Sequence, residues 1–237
     1  MPILDEQVER YLHRLRPERS PVMAEMEAVA ERDGVPIVHW ETGRFLATLC
    51  RALDPVVLEV GTAIGYSTLH MAEQLTDGRV ITLEVDAERA RQARDFLGRA
   101  GVAERVELIE GDARETIEAV PGPIDLLFVD AAKEQYAGYI ELAEPKLSDR
   151  AMLVVDNMLM SGEVALPPDA VVREGAGSAR TGATRVTRWR PEALAAARKL
   201  NADLMRSERW LACVLPIGDG IAFATLARGR TYQGDAA

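Results

Sequence analysis

Hydrophobic and polar positions divide the chain into three textures. Over residues 5–32, charged and apolar side chains alternate at helical spacing, which predicts one or two amphipathic helices broken near Pro17 and Pro21. Another helix is predicted over residues 41–53. Short, almost continuous apolar runs then begin, as strands buried on both faces require. They cover residues 56–60, 79–83, 106–109, 124–129 and 151–155. Stretches at 66–75, 87–100 and 134–147 separate them as helices, the second closed by Gly101, and a short helix follows Asp112. Such alternation implies a parallel sheet joined by right-handed crossovers.

The last third changes texture again. Residues 161–187 are rich in Gly, Ala, Pro and Arg and read as a long loop, which in a compact domain is usually functional or mobile. Residues 191–207 read as a helix with Pro191 at its first position. Residues 210–215 and 221–226 flank the turn Pro216-Ile217-Gly218-Asp219-Gly220, so the sheet is expected to end in an antiparallel hairpin. The 237 residues read as one α/β domain. It has a helical lid over 1–54, a ligand-binding core over 55–160, the loop over 161–190, and a terminal helix and hairpin over 191–230.

Composition narrows the possibilities. Apolar residues at 48% suffice for a sizeable core, and no apolar run approaches the roughly 18 residues of a membrane span. The N-terminal segment lacks the apolar stretch of a secretion signal. Cys50 and Cys213 are isolated, show no metal-type spacing and fit a reducing cytoplasm, the expected location. A net charge of −10 disfavours broad nucleic-acid binding. The charge is uneven, however: between Val171 and Trp210 nine Arg or Lys face four acids. That is either a local basic face able to touch phosphate or, more simply, a solvated helix and loop.

Candidate chemistry gathers at strand ends, where open α/β sheets bind ligands. After the first strand comes Gly61-Thr62-Ala63-Ile64-Gly65-Tyr66-Ser67, and its two glycines permit a sharp turn and close approach of a ligand. Glu84 lies 23 residues beyond Gly61 and can accept from both hydroxyls of a ribose, with Asp86 as a competitor. Gly111-Asp112-Ala113 follows the third strand and suits the side of a purine. The glycine spacing lacks the middle glycine that admits a pyrophosphate, which favours a nucleoside over a dinucleotide.

Asp130 ends the fourth strand and Asp156-Asn157 end the fifth. Two carboxylates and an amide oxygen form a hard donor set for Mg²⁺ or another divalent cation, with positions left for two substrate oxygens and water. The histidines, His13, His39 and His70, lie elsewhere. Lys133 sits about one helical turn past Asp130 and suits a general base.

At this point the sequence resembles the cation-dependent, catechol-type O-methyltransferases, which include caffeoyl-CoA enzymes and many bacterial members. The resemblance runs from about Val35 to Leu226 and rests on VLEVGTAIGYSTLHMA, ITLEVD, LIEGDA, LLFVDAAKEQY and VVDNMLMSGEV in that order. It implies a class I methyltransferase fold: a Rossmann-like, seven-stranded, mostly parallel sheet with one reversed strand in a C-terminal hairpin and helices on both faces. It implies S-adenosylmethionine as methyl donor, lined by Glu59, Gly61, Ser67, Glu84, Ala113 and Asp130. It implies Asp130, Asp156 and Asn157 as metal ligands, Lys133 as the base, and a homodimer. Gly65 and Asp112 join the donor site from the turns described above.

Two departures stand out. Animal catechol enzymes carry a His-Trp pair where this chain has Ala131 and Ala132, so that aromatic wall is missing. The loop over 161–187 is also longer than theirs. Trp40 either supplies a wall from the lid or packs as an ordinary helix residue.

The expected reaction is transfer of a methyl group to a small-molecule hydroxyl with an adjacent oxygen, of catechol or hydroxycinnamoyl type. An alternative keeps the chemistry and makes 5-hydroxyuridine in transfer RNA the acceptor, supported by GTAIGYS, DAAKEQY and the basic stretch. A nicotinamide oxidoreductase is disfavoured by the glycine spacing. A non-catalytic nucleotide-binding module would leave the metal set and Lys133 unexplained.

Overall fold

The computed structural model describes residues 5–167 and 188–227. Its N-terminal part forms α1 (Glu6–Arg14), α2 (Pro21–Asp33) and α3 (Trp40–Leu53). The expected break falls between α1 and α2. Ser20 caps α2 by accepting from Met23 N, and Pro21 occupies the first turn, where its missing N–H costs nothing.

The alternating core follows as β1 (Val56–Val60), α4 (Tyr66–Ala72), β2 (Arg79–Glu84), α5 (Ala87–Arg99), β3 (Val106–Glu110), α6 (Ala113–Thr116) and β4 (Ile124–Val129). Then come α7 (Tyr136–Ala143), β5 (Leu147–Val155), α8 (Pro191–Met205), β6 (Trp210–Leu215) and β7 (Ile221–Leu226). Residues 134–147, expected as one helix, differ. A 3₁₀ turn at Lys133–Gln135 precedes α7, and a second at Glu144–Lys146 ends it. Pro145 has no N–H to continue the helix. β5 starts four residues before its apolar run because Leu147 pairs with Ile124.

The strands form one sheet in the order β3-β2-β1-β4-β5-β7-β6. β1 to β5 are parallel, and β7 runs antiparallel to both β5 and β6. The expected single reversed strand is therefore β7. Strand order reverses between β1 and β4, which opens a crevice at the carboxyl ends of these two strands.

Each face of the sheet buries its own core. Leu58 and Val60 of β1 face α7 and α8, packing with Tyr136, Ile140, Leu194 and Leu200. Val57 faces the opposite side, where Met26, Leu46, Leu69 and Phe96 come from α2 to α5. That alternation is the period of two of an extended strand. Among the described residues no helix is long and apolar enough to cross a membrane.

Candidate active site

A cavity of about 330 Å³ opens at the switch between β1 and β4. Gly61, Ser67, Glu84, Asp112, Ala113 and Asp130 are among its walls. Gly61 has φ +105°, and a Cβ there would collide with the Asp130 carbonyl. Glycine is thus what lets the first turn lie against the end of β4.

Glu84 is 6% exposed, accepting from Ala63 N at 2.7 Å through one oxygen and from Asp86 N at 2.9 Å through the other. Its remaining lone pairs stay available. Asp86 is used otherwise: it caps α5 by accepting from Glu88 N and Arg89 N, and it is not a cavity wall. Asp112 caps α6 and binds the Arg114 guanidinium, whose hydrogen bonds hold its carboxyl down at about 2.

Two residues expected to line the cofactor site stand one layer back. Gly65 turns the chain into α4 with φ +87° and is absent from the cavity wall. Glu59 is fully buried beneath Ser67 because the pleat of β1 points it toward α4. It accepts from Ser67 Oγ at 2.5 Å, Thr68 Oγ1 at 2.5 Å and Thr82 Oγ1 at 2.6 Å. Burial pushes its carboxyl up to about 7 against the pull of those hydroxyls, with the Asp130 charge adding to the rise. Its direct effect is to fix Ser67, which does face the cavity. Trp40 is likewise elsewhere, stacked near Arg16 in a separate cavity, and Pro36, Ile37 and Val38 supply the lid side instead.

At the other end of the crevice, β4 delivers Asp130 and β5 delivers Asp156 and Asn157. Asp156 is fully buried; its Oδ1 accepts from Asn157 N at 2.8 Å, and its Oδ2 has no partner among the described residues. Burial, and after it the Asp130 charge, push the Asp156 carboxyl far above the ordinary range. A buried, unpaired carboxylate oxygen beside a second carboxylate calls for positive charge. Lys133 Nζ meets Asp130 Oδ1 at 2.6 Å, and Tyr136 Oη approaches the same oxygen at 3.4 Å. Among the described residues no group of three or more His, Cys, Asp or Glu gathers, so the two carboxylates and the amide are the oxygen donors at this edge of the sheet that a cation could use. These residues fit a hard divalent cation.

Sequence reasoning saw Asp219 only as a turn residue. The β6–β7 turn brings it, 7% exposed, against the strand-end residues. Asp219 Oδ2 lies 3.5 Å from Asn157 Nδ2, and its other oxygen accepts from Ser161 N. An amide nitrogen turned toward Asp219 leaves the amide oxygen of Asn157 for a cation. No local pattern in the sequence marks this, since the two positions are 62 residues apart.

A sequence profile described as O-methyltransferase matches residues 17–228. The chain belongs to the O-methyltransferase family. It is 38% identical over 154 residues to a catechol O-methyltransferase of Mycobacterium tuberculosis, covering 63% of this chain and 70% of that one. It is 30% identical over 189 residues to caffeoyl-CoA O-methyltransferase 1 of Arabidopsis thaliana, covering 76% and 68%. The crystal structure of the methyltransferase PaMTH1 from Podospora anserina, bound to S-adenosylhomocysteine, superimposes with a TM-score of 0.78 at 27% identity, covering 94% of this chain and 95% of that one. The class I methyltransferase fold and an S-adenosylmethionine-dependent O-methyltransferase activity follow, as the motifs implied.

Among the described residues of the basic stretch of this O-methyltransferase, four of the six Arg and Lys are committed to local partners. Arg190 pairs with Glu134, Lys199 with Asp203 and Arg209 with Glu144, while Arg198 binds backbone carbonyls. Arg173, Arg180 and Arg185 lie outside the described residues. Besides Tyr136, Trp189, which the sequence did not single out, comes close to Lys133; its ring centre lies 5.8 Å from Lys133 Nζ.

Proposed function

We propose that this O-methyltransferase methylates a small-molecule hydroxyl that has a second oxygen next to it, of the catechol or hydroxycinnamoyl type, with the help of a divalent cation. The observation that carries the reading is the buried Asp156 Oδ2, without a partner among the described residues, beside Asp130. Asp130, Asp156 and the Asn157 amide would hold the cation, and Mg²⁺ suits three oxygen donors. When bound, it supplies Lewis acidity that eases loss of the acceptor's proton, and a fixed point for two acceptor oxygens.

The chain's own residues do the rest. Lys133, at the mouth of β4, takes the proton from the acceptor hydroxyl. Gly61 allows the donor's amino-acid end to lie against the backbone, and Ser67, fixed by Glu59, faces it. Glu84 receives the ribose hydroxyls on its unused lone pairs, and Asp112 and Ala113 flank the base. The small Ala131 and Ala132 leave this side of the cavity open. The reaction is an in-line transfer of methyl from sulfonium sulfur to the deprotonated oxygen, in which positioning supplies much of the rate.

The names of the relatives, a catechol and a caffeoyl-CoA enzyme, support an acceptor with adjacent hydroxyls. The test is transfer of a labelled methyl group from S-adenosylmethionine to a panel of catechols and hydroxycinnamoyl compounds, with bulk transfer RNA alongside, each with Mg²⁺ and with EDTA. Methylation of a catechol only when Mg²⁺ is present is the expected result. Label entering transfer RNA alone, or metal-independent transfer, overturns it.

A further inference from the structure

Glu163 is 1% exposed, yet among the described residues no cation pairs with its carboxylate. Its oxygens are spent on backbone N–H groups 25 and 26 residues downstream. Arg188 N donates at 2.9 and 3.1 Å, and Trp189 N at 3.3 Å. A buried charge costs free energy unless its hydrogen bonds are made, and charged acceptors make the stronger ones. A carboxylate used this way pins backbone.

The pin has a base and a target. Arg198 on α8 donates to the carbonyls of Val164, Glu163 and Leu166 at 3.0, 3.2 and 2.7 Å, which fixes the segment bearing Glu163. Downstream, the Trp189 ring lies 5.8 Å from Lys133 Nζ, which also has the Tyr136 ring at 5.3 Å. Arg190 binds Glu134, the neighbour of Lys133, at 2.5 Å. The chain therefore returns at residue 188 directly onto the turn that carries the lysine.

We propose that Glu163 is a positioning residue for Lys133. It holds the backbone of Arg188 and Trp189, and so seats the Trp189 ring against Lys133 Nζ. A lysine is a flexible stem with a strongly hydrated head. A carboxylate on one side and two aromatic faces restrict that head to one place beside Asp130. The aromatic contact that Ala131 and Ala132 cannot give comes from Trp189, and Glu163 makes it permanent. The functional part of this inference rests on Lys133 acting as proposed above.

The test uses the full chain with Glu163→Ala, Glu163→Gln, Trp189→Ala and the double Glu163→Ala/Trp189→Ala variant. The protein is labelled with 5-fluorotryptophan, and the Trp189 signal is assigned by Trp189→Phe. Glu163→Ala should shift or broaden that signal and leave those of Trp40 and Trp210 in place. With catechol as acceptor, its kcat should fall about tenfold or more, as displaced catalytic groups do. Its affinity for S-adenosylhomocysteine should stay within about twofold, and adding Glu163→Ala to Trp189→Ala should cost little more, because one contact carries both effects. Glu163→Gln, which keeps one acceptor oxygen, should fall between. An unmoved Trp189 signal overturns the proposal, as do normal kcat in a less stable Glu163→Ala protein and multiplying losses in the double variant. If the wild-type chain methylates no catechol, the reading of the acceptor fails, while the fluorine spectrum still decides whether Glu163 seats Trp189.

Discussion

Lys133 Nζ stands 2.6 Å from Asp130 Oδ1, three residues away across the start of a 3₁₀ turn. Both side chains are largely withdrawn from solvent, at 15% and 19% exposure. The contact sets the amine and the carboxylate in place together, so one short stretch of chain delivers the proposed base and a proposed cation ligand. It predicts that Lys133→Ala lowers kcat by about 10²- to 10⁴-fold, the usual worth of a positioned base. Lys133→Arg should not restore it, since a guanidinium cannot lose its proton in a protein. Steady-state kinetics with a catechol checks both. Recovery in the arginine variant would reduce Lys133 to a charge.

Cation dependence has a readout without turnover. A cation bound only by the folded protein stabilises it by mass action, so saturating Mg²⁺ should raise the melting temperature by about 5 °C or more. Asp156→Asn should melt higher than wild type in EDTA, because it removes a buried carboxyl that burial and the Asp130 charge make costly to ionise. The same variant should lose the Mg²⁺ effect and most turnover, while keeping its affinity for S-adenosylhomocysteine. Calorimetry with and without Mg²⁺ distinguishes these outcomes. An unchanged response to Mg²⁺ in Asp156→Asn would remove Asp156 from the ligand set.

Gly61→Ala should abolish binding of S-adenosylhomocysteine. A methyl group there meets the Asp130 carbonyl, and the φ of +105° strains any L side chain. Titration calorimetry should show no heat with the variant. Retained affinity would mean that β1 and β4 can separate at the switch.

Glu59 supplies a pH dependence of stability. Its carboxyl sits at about 7 when folded, against an ordinary value of 4.5. The folded chain therefore keeps a proton that the unfolded chain releases as pH rises above 4.5. This contribution is fully present below that pH and is lost as pH rises through about 7. Over that window it amounts to roughly 3 kcal/mol at most. Glu59→Gln should flatten this slope, so denaturant unfolding at pH 5 and pH 8 should differ less than in wild type. Parallel slopes would show that Glu59 is ionised when folded.

Much of the site was legible because its chemistry lies at strand ends. Asp130 and the pair Asp156-Asn157 follow apolar runs, so the alternation of strands and helices places them at one edge of the sheet. Gly61 and Glu84 were legible for the same reason. Glu59 stands one layer behind the cavity wall: a five-residue strand sends alternate side chains to opposite faces, and the motif does not say which of them reaches the cavity. The end of α7 was missed because Pro145 and the Ile124–Leu147 pairing outweigh an apolar pattern compatible with helix.

The sheet, the direction of its last strands, the family and the residues at strand ends can all be read along the chain. Those follow from local periodicity, turn chemistry and motif order, which neighbouring residues carry. It takes the packed fold to bring Asp219 to Asn157 across 62 residues, Glu163 to the chain at 188–189, and Trp189 to Lys133. Each joins segments whose separation is closed by packing on the sheet. Such contacts depend on where elements dock in space, which no local pattern encodes.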